Sequence, residues 1–119
     1  MAKLTLYYGT METGKTTKLI QDHYNYSRYL LKVILIKPKI DTKGGNTVIT
    51  RVGENIKCDL LLPKSASLLS KKYFNRYKYM QFILVDEAQF LTKKQINELW
   101  FIAHKYNINV VCYALKSNF

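Results

Sequence analysis

Acidic residues are scarce in this chain: eight Asp and Glu stand against nineteen Lys and Arg, for a formal net charge of +11 at pH 7. Long apolar runs are missing as well. Runs such as 82–85 and 110–115 are strand-sized and none approaches the roughly 20 residues that a membrane-crossing helix needs, so no membrane partner is expected. Cysteine is limited to Cys58 and Cys112, without CxxC spacing. That excludes a disulfide framework or a zinc ribbon within the chain and gives each thiol the role of a small buried side chain. No internal repeat, low-complexity tract or interdomain linker breaks the 119 residues, so one domain around one hydrophobic core is expected. The N-terminus shows no basic segment followed by an apolar one; an export signal is not expected and the cytoplasm is the default location.

What is present is an ordinary globular composition, 48% apolar at a mean hydropathy of −0.17. All the cations except Arg28, Arg51 and Arg76 are lysines, spread along the chain without a long run and without an RNA-binding aromatic motif. Such a field suits a polyphosphate ligand, and a lysine-rich solvated surface accounts for it equally well. Four of the eight acids, Glu12, Asp41, Asp86 and Glu87, lie in or beside the segments that carry chemistry.

Periodicity predicts strands at 3–8, 33–37, 82–86 and 108–114, the last three so continuously apolar that both faces should be buried. A helix is predicted over about 15–31 with Ile20, Tyr24, Ser27 and Leu31 on its core stripe. A second should follow Thr92, capped by its hydroxyl with Gln95 as reciprocal partner and Leu91 stapled onto Ile96; its core stripe reads Ile96, Leu99, Trp100 and Ala103. Between them, 42–46 is a glycine-bearing loop, 47–62 holds one or two short strands, and 65–73 reads as a helix. Strands alternating with helices imply an α/β domain over residues 1–119 with a mostly parallel sheet, and ligands at the carboxyl edge of its strands.

The segment GTMETGKT at 9–16 has the form of a phosphate-binding loop. Gly9 and Gly14 allow a tight turn in which backbone N–H groups approach an anion, and the residues between them (Thr10, Met11, Glu12, Thr13) complete the candidate ATP cradle. Lys15 is aimed at the β- and γ-phosphates, and Thr16 supplies a hydroxyl for Mg²⁺ at the positive end of the following helix. The context fits, with LTLYY before it as a strand and KLIQDHYNY after it as a helix. The apolar stretch at 82–85 then ends in Asp86-Glu87. Asp86 is placed to enter the Mg²⁺ shell, and Glu87, one residue beyond, to act as general base toward a nucleophile in line with the γ-phosphate.

Two nucleophiles are compatible with that pair: water, giving a nucleic-acid-stimulated ATPase motor, or a substrate hydroxyl, giving a kinase. The sequence DEAQF echoes a helicase motif and the +11 charge would suit nucleic acid, but a helicase needs a second lobe for which 119 residues leave no room. At this point the chain resembles the small cytosolic thymidine kinases, the P-loop family with a zinc-bearing C-terminal lobe. YYGTMETGKTTKLI is similar to that family's first strand, loop and helix, and NYSRYLLKVILIKPKIDTK to its second strand and acidic loop. VDEAQFLTKKQINEL and VVCYALKSNF are similar to its Mg²⁺ strand and the strand after it.

The resemblance implies a RecA-like P-loop fold and transfer of phosphate from ATP to the 5′-hydroxyl of thymidine. Lys15 and Thr16 would hold ATP and Mg²⁺, Asp86 would hold Mg²⁺ through water, and Glu87 would take the hydroxyl proton. Ala88 and Gln89 would end the second nucleotide-contacting segment begun by Asp86 and Glu87, while Met11 and Phe90 would line the nucleoside site, Phe90 offering an aromatic face to the base. A homo-oligomer, dimer or tetramer, is also implied; nucleic acid is a partner only in the competing reading. Two departures stand out. Where the family usually has Arg in the acidic loop, two residues after the Asp, this chain has Lys43, which keeps a catalytic cation and loses its bidentate fork; Arg51 matches a basic position seen in some members. The family's zinc lobe has no counterpart in these residues, so the chain is expected to be the ATP-binding part of a longer kinase, with zinc held in the missing lobe.

Overall fold

The computed structural model describes residues 2–9, 12–29, 31–39, 47–49 and 55–115. Five strands form one sheet: β1 (Leu4–Gly9), β2 (Val33–Pro38), β5 (Leu60–Leu62), β6 (Phe82–Val85) and β7 (Asn109–Leu115). Their order is β1-β7-β6-β2-β5 and every neighbouring pair is parallel. The remaining strands, β3 (Thr47–Ile49) and β4 (Asn55–Lys57), make a separate antiparallel pair. Helix α1 (Glu12–Arg28) connects β1 to β2, α2 (Lys71–Tyr77) precedes β6, and α3 (Lys93–Tyr106) connects β6 to β7. This is the α/β P-loop architecture expected from the sequence, with the strand bounds met to within a residue. No helix among the described residues is long and apolar enough to cross a membrane.

The sheet has a core on each face because β6 is apolar throughout and β2 and β7 are apolar on both faces apart from Lys37 and Asn109. On one face Leu35, Leu84, Tyr113 and Cys58 surround Leu19 of α1. On the other, Ile34, Ile36, Ile83, Val85, Val110 and Cys112 pack against Leu99, Ile102 and Ala103 of α3 and Tyr73 and Tyr77 of α2. Both cysteines are buried free thiols, and burial raises them, Cys112 to about 12, so each stays protonated.

The helices differ from expectation in register. Among the described side chains of α1 the buried ones are Leu19 and Asp22, whereas Tyr24, read as core, is 61% exposed and Ser27 is exposed too; Leu31 lies beyond the helix. Asp22 is buried because its carboxylate has a partner on β7: Tyr113 Oη donates to Asp22 Oδ2 at 2.6 Å. In α3 the capping box of Thr92 and Gln95 forms, but Trp100 is 54% exposed and the buried stripe runs Gln95, Glu98, Leu99, Ile102, Ala103. Polar residues occupy it because residues 63–68 cross over this helix as turns, not as the helix expected at 65–73, and present backbone groups that need partners. Gln95 Nε2 donates to the carbonyls of Pro63 (2.9 Å) and Ala66 (3.1 Å), and Glu98 accepts from Leu68 N (3.0 Å) and from the Ser67 hydroxyl. Helix α2 begins only after Ser70, which places Tyr73 and Tyr77 one turn apart against the core. Among its described residues the middle segment contains three short strands, not one or two.

Gln95→Ala is therefore expected to destabilise the fold by about 2 to 3 kcal/mol, since it removes a cap partner and, at once, the side-chain donor to the Pro63 and Ala66 carbonyls, of which Pro63 keeps the bond from Ala66 N. A denaturant midpoint unchanged from the parent would show that water or relaxation replaces the amide.

Candidate active site

Because the sheet is all parallel, the carboxyl ends of β1, β2, β6 and β7 lie along one edge. Gly9 ends β1, buried and paired in register with Leu115, and only residues 10 and 11 separate it from the start of α1 at Glu12. Thr13, Gly14, Lys15 and Thr16 thus fall in the opening turns of a 17-residue helix that starts at this edge. Unpaired N–H groups at such a start and the helix dipole together make a seat for an anion. Asp22, two turns on, secures the helix to the sheet: besides Tyr113 it binds Lys18, whose Nζ lies 2.8 Å from Oδ1. The hydrogen bond to Asp22 raises the Lys18 pKa, and burial above all keeps the Tyr113 hydroxyl protonated as the donor.

At the end of β6 the ladder continues one residue past Val85, with Asp86 N donating to Ile36 O at 2.9 Å. Side chains alternate across the sheet, so Lys37 and Asp86, each following the paired Ile36 and Val85, return to the face that carries α1. Both are buried, Asp86 at 4% exposure and Lys37 at 5%. A cation and a carboxylate therefore share the strand mouth beneath the start of α1, and both charges act on the Cys58 thiol nearby. One buried carboxylate fits Mg²⁺, which is commonly held by one or two carboxylates with phosphate oxygens and waters; among the described residues no cluster of three metal-ligating side chains exists.

Glu87 turns the chain away from the sheet in the left-handed region (φ 55°, ψ 40°), a conformation that costs a residue with a Cβ about 1 kcal/mol or more. A single 3₁₀ turn, Ala88–Phe90, follows, with Phe90 N donating to Glu87 O at 3.0 Å. Gln89 folds back: its Nε2 donates to Glu87 Oε2 at 3.0 Å and its Oε1 accepts from Leu115 N at 3.3 Å. Ala88 packs into the core, so any contact it makes with a nucleotide is through its backbone. Phe90 is 41% exposed, outside the core.

Gly9, the start of α1, Asp86, Glu87 and Gln89 are thus gathered at one edge, as their sequence positions imply. Thr10, Met11, Asp41, Lys43 and Arg51 lie outside the described residues, and α1 is described only by its backbone from Glu12 to Thr17. Sequence reasoning missed Lys37 and the Asp22–Tyr113 pair. The signal for Lys37 was there, as the one charge inside the apolar strand VILIKP. Nothing local links Asp22 to a tyrosine 91 positions away.

The sequence profile of the thymidine kinase family matches residues 2–119. Among curated relatives, the thymidine kinase of Mannheimia succiniciproducens is 37% identical over 120 residues, that of Haemophilus influenzae 38% over 122, and that of Rhodopirellula baltica 35% over 120. Each alignment takes in all of this chain but only 62%, 62% and 57% of the respective relative, so the chain spans about three fifths of their length. With the strand and helix that flank the GTMETGKT motif, a buried carboxylate and an adjoining glutamate gathered at one sheet edge, and the family profile covering those residues, the chain belongs to the thymidine kinase family.

Proposed function

We propose that the protein transfers the γ-phosphate of ATP to the 5′-hydroxyl of thymidine, giving ADP and thymidine 5′-phosphate. The observation that carries this reading is the placement of Glu87 directly after the buried Asp86, at the edge where α1 begins. The start of α1 and Lys15 hold the triphosphate, and Lys43 supplies a further positive charge toward the transferred group. Thr16 and Asp86 would hold Mg²⁺, which would offset the negative charge developing on the transferred phosphate. Lys37 adds a fixed cation behind Asp86. Met11 and the exposed ring of Phe90 flank the thymine base. Glu87 accepts the proton of the 5′-hydroxyl as that oxygen forms its bond to the γ-phosphorus; the bond from phosphorus to the bridging oxygen breaks and ADP leaves.

Incubating the full-length gene product with ATP, Mg²⁺ and each deoxynucleoside in turn should yield a 5′-monophosphate from thymidine. Absence of thymidine 5′-phosphate would overturn the assignment, and DNA-stimulated ATP hydrolysis in its place would favour a motor.

A further inference from the structure

We propose that Gln89 is a positioning residue for the general base, not a nucleotide contact: its side-chain amide ties the Glu87 carboxylate to the end of β7. This rests on the kinase reading above and names a further part of its machinery. Gln89 Nε2 lies 3.0 Å from Glu87 Oε2, and Gln89 Oε1 lies 3.3 Å from the backbone nitrogen of Leu115. The two bonds determine each other. A backbone N–H can only donate, so the amide oxygen must face Leu115; the amide NH₂ then faces the carboxylate, which accepts. Reversing the amide would set donor against donor and acceptor against acceptor.

The anchor is part of the sheet. Leu115 is the last residue of β7 and the register partner of Gly9, where β1 gives way to the phosphate-binding loop. Glu87 sits on the opposite side of this bridge, in a left-handed conformation that directs the chain off the sheet into a 3₁₀ turn. A glutamate has several rotatable bonds, and its carboxylate serves as a base only while it stays within reach of the acceptor hydroxyl. Gln89 supplies a fixed point beyond the backbone, and it does so from the strand end that also locates the ATP loop. Donor loop and base are thereby held by the same residue of the sheet. Half-buried Gln89 is well placed for this, with both ends of its amide already committed within the protein.

Steady-state kinetics of the full-length gene product, its Gln89→Leu and Gln89→Glu variants, Glu87→Gln, and the double variant Glu87→Gln with Gln89→Leu would test this. Gln89→Leu should lower kcat about tenfold with KM for ATP within about twofold. Gln89→Glu retains the size and the acceptor for Leu115 but cannot donate to Glu87, so it should lose as much as Gln89→Leu. In the Glu87→Gln background, Gln89→Leu should cost nothing more, because a residue acting through Glu87 has nothing left to act on. A raised KM for ATP at unchanged kcat, a Gln89→Glu variant with full kcat, or additive losses in the double variant would each overturn the proposal. Those results are distinct from failure of the kinase reading, in which the unmutated protein itself makes no thymidine 5′-phosphate.

Discussion

Glu87→Gln is expected to lower the turnover of the full-length gene product by about 10² or more while leaving ATP binding in place. Glutamine has the size of glutamate and cannot take up the proton of the 5′-hydroxyl. It can still accept the bond from Gln89 Nε2 through its own amide oxygen, so the 3₁₀ turn after it should be preserved. The left-handed backbone at this position is no harder for glutamine than for glutamate, since both carry the same Cβ. Initial rates at saturating ATP and thymidine, with calorimetric ATP affinity measured alongside, separate the possibilities. An unimpaired rate removes Glu87 from the role of base; lost ATP affinity at the same rate per bound nucleotide would reassign it to the donor site.

Asp86→Asn is expected to reduce turnover by a comparable factor, through a different route. The carboxylate is buried at the mouth of β6, and its negative charge is what a divalent cation would meet on the protein side. Asparagine keeps the shape and loses the charge. Losing several kcal/mol of metal-mediated charge stabilisation corresponds to a rate loss of about a hundredfold or more. The variant should also need about tenfold more Mg²⁺ for half its maximal rate, a shift that Glu87→Gln should not show. The Mg²⁺ titration is therefore the deciding measurement. An Asp86→Asn enzyme with the parental Mg²⁺ response would sink the assignment, whatever its rate. The neighbouring Lys37, buried on the same face, gives the substitution a second consequence: a cation loses an adjacent carboxylate, so a modest fall in melting temperature should accompany the loss of rate.

Much of this site is legible in the residues themselves because its parts are local. A strand, a glycine-bearing turn and a helix start need only the order LTLYY, GTMETGKT and KLIQDHYNY, and the edge at which they meet follows from parallel crossover geometry. Thr92 and Gln95 form their capping box for the same reason, both partners lying within one turn. Errors arose where a residue's environment depends on a distant segment. Tyr24 and Trp100 are large and partly apolar, so a periodicity count puts them inside; both are exposed. The inward positions belong to Asp22, Gln95 and Glu98, which a hydropathy reading assigns to solvent. Each of the three is buried against partners 29 to 91 positions away, through Tyr113 Oη, the Ala66 carbonyl and the Leu68 amide.

The sequence by itself determined the strand and helix on either side of the GTMETGKT motif, the acidic pair at the end of β6, the four long strands and the family, since each is a matter of adjacent residues or of overall resemblance. Only the tertiary structure decided which helix faces turn inward, that Lys37 joins Asp86 beneath the start of α1, and that Gln89 stands between Glu87 and Leu115. Burying a polar group costs free energy unless a partner meets it, and that partner is supplied by the fold, not by the neighbouring residues. Hydrophobic patterning therefore reveals where the chain runs, while the roles of its buried polar side chains emerge only when distant segments come together.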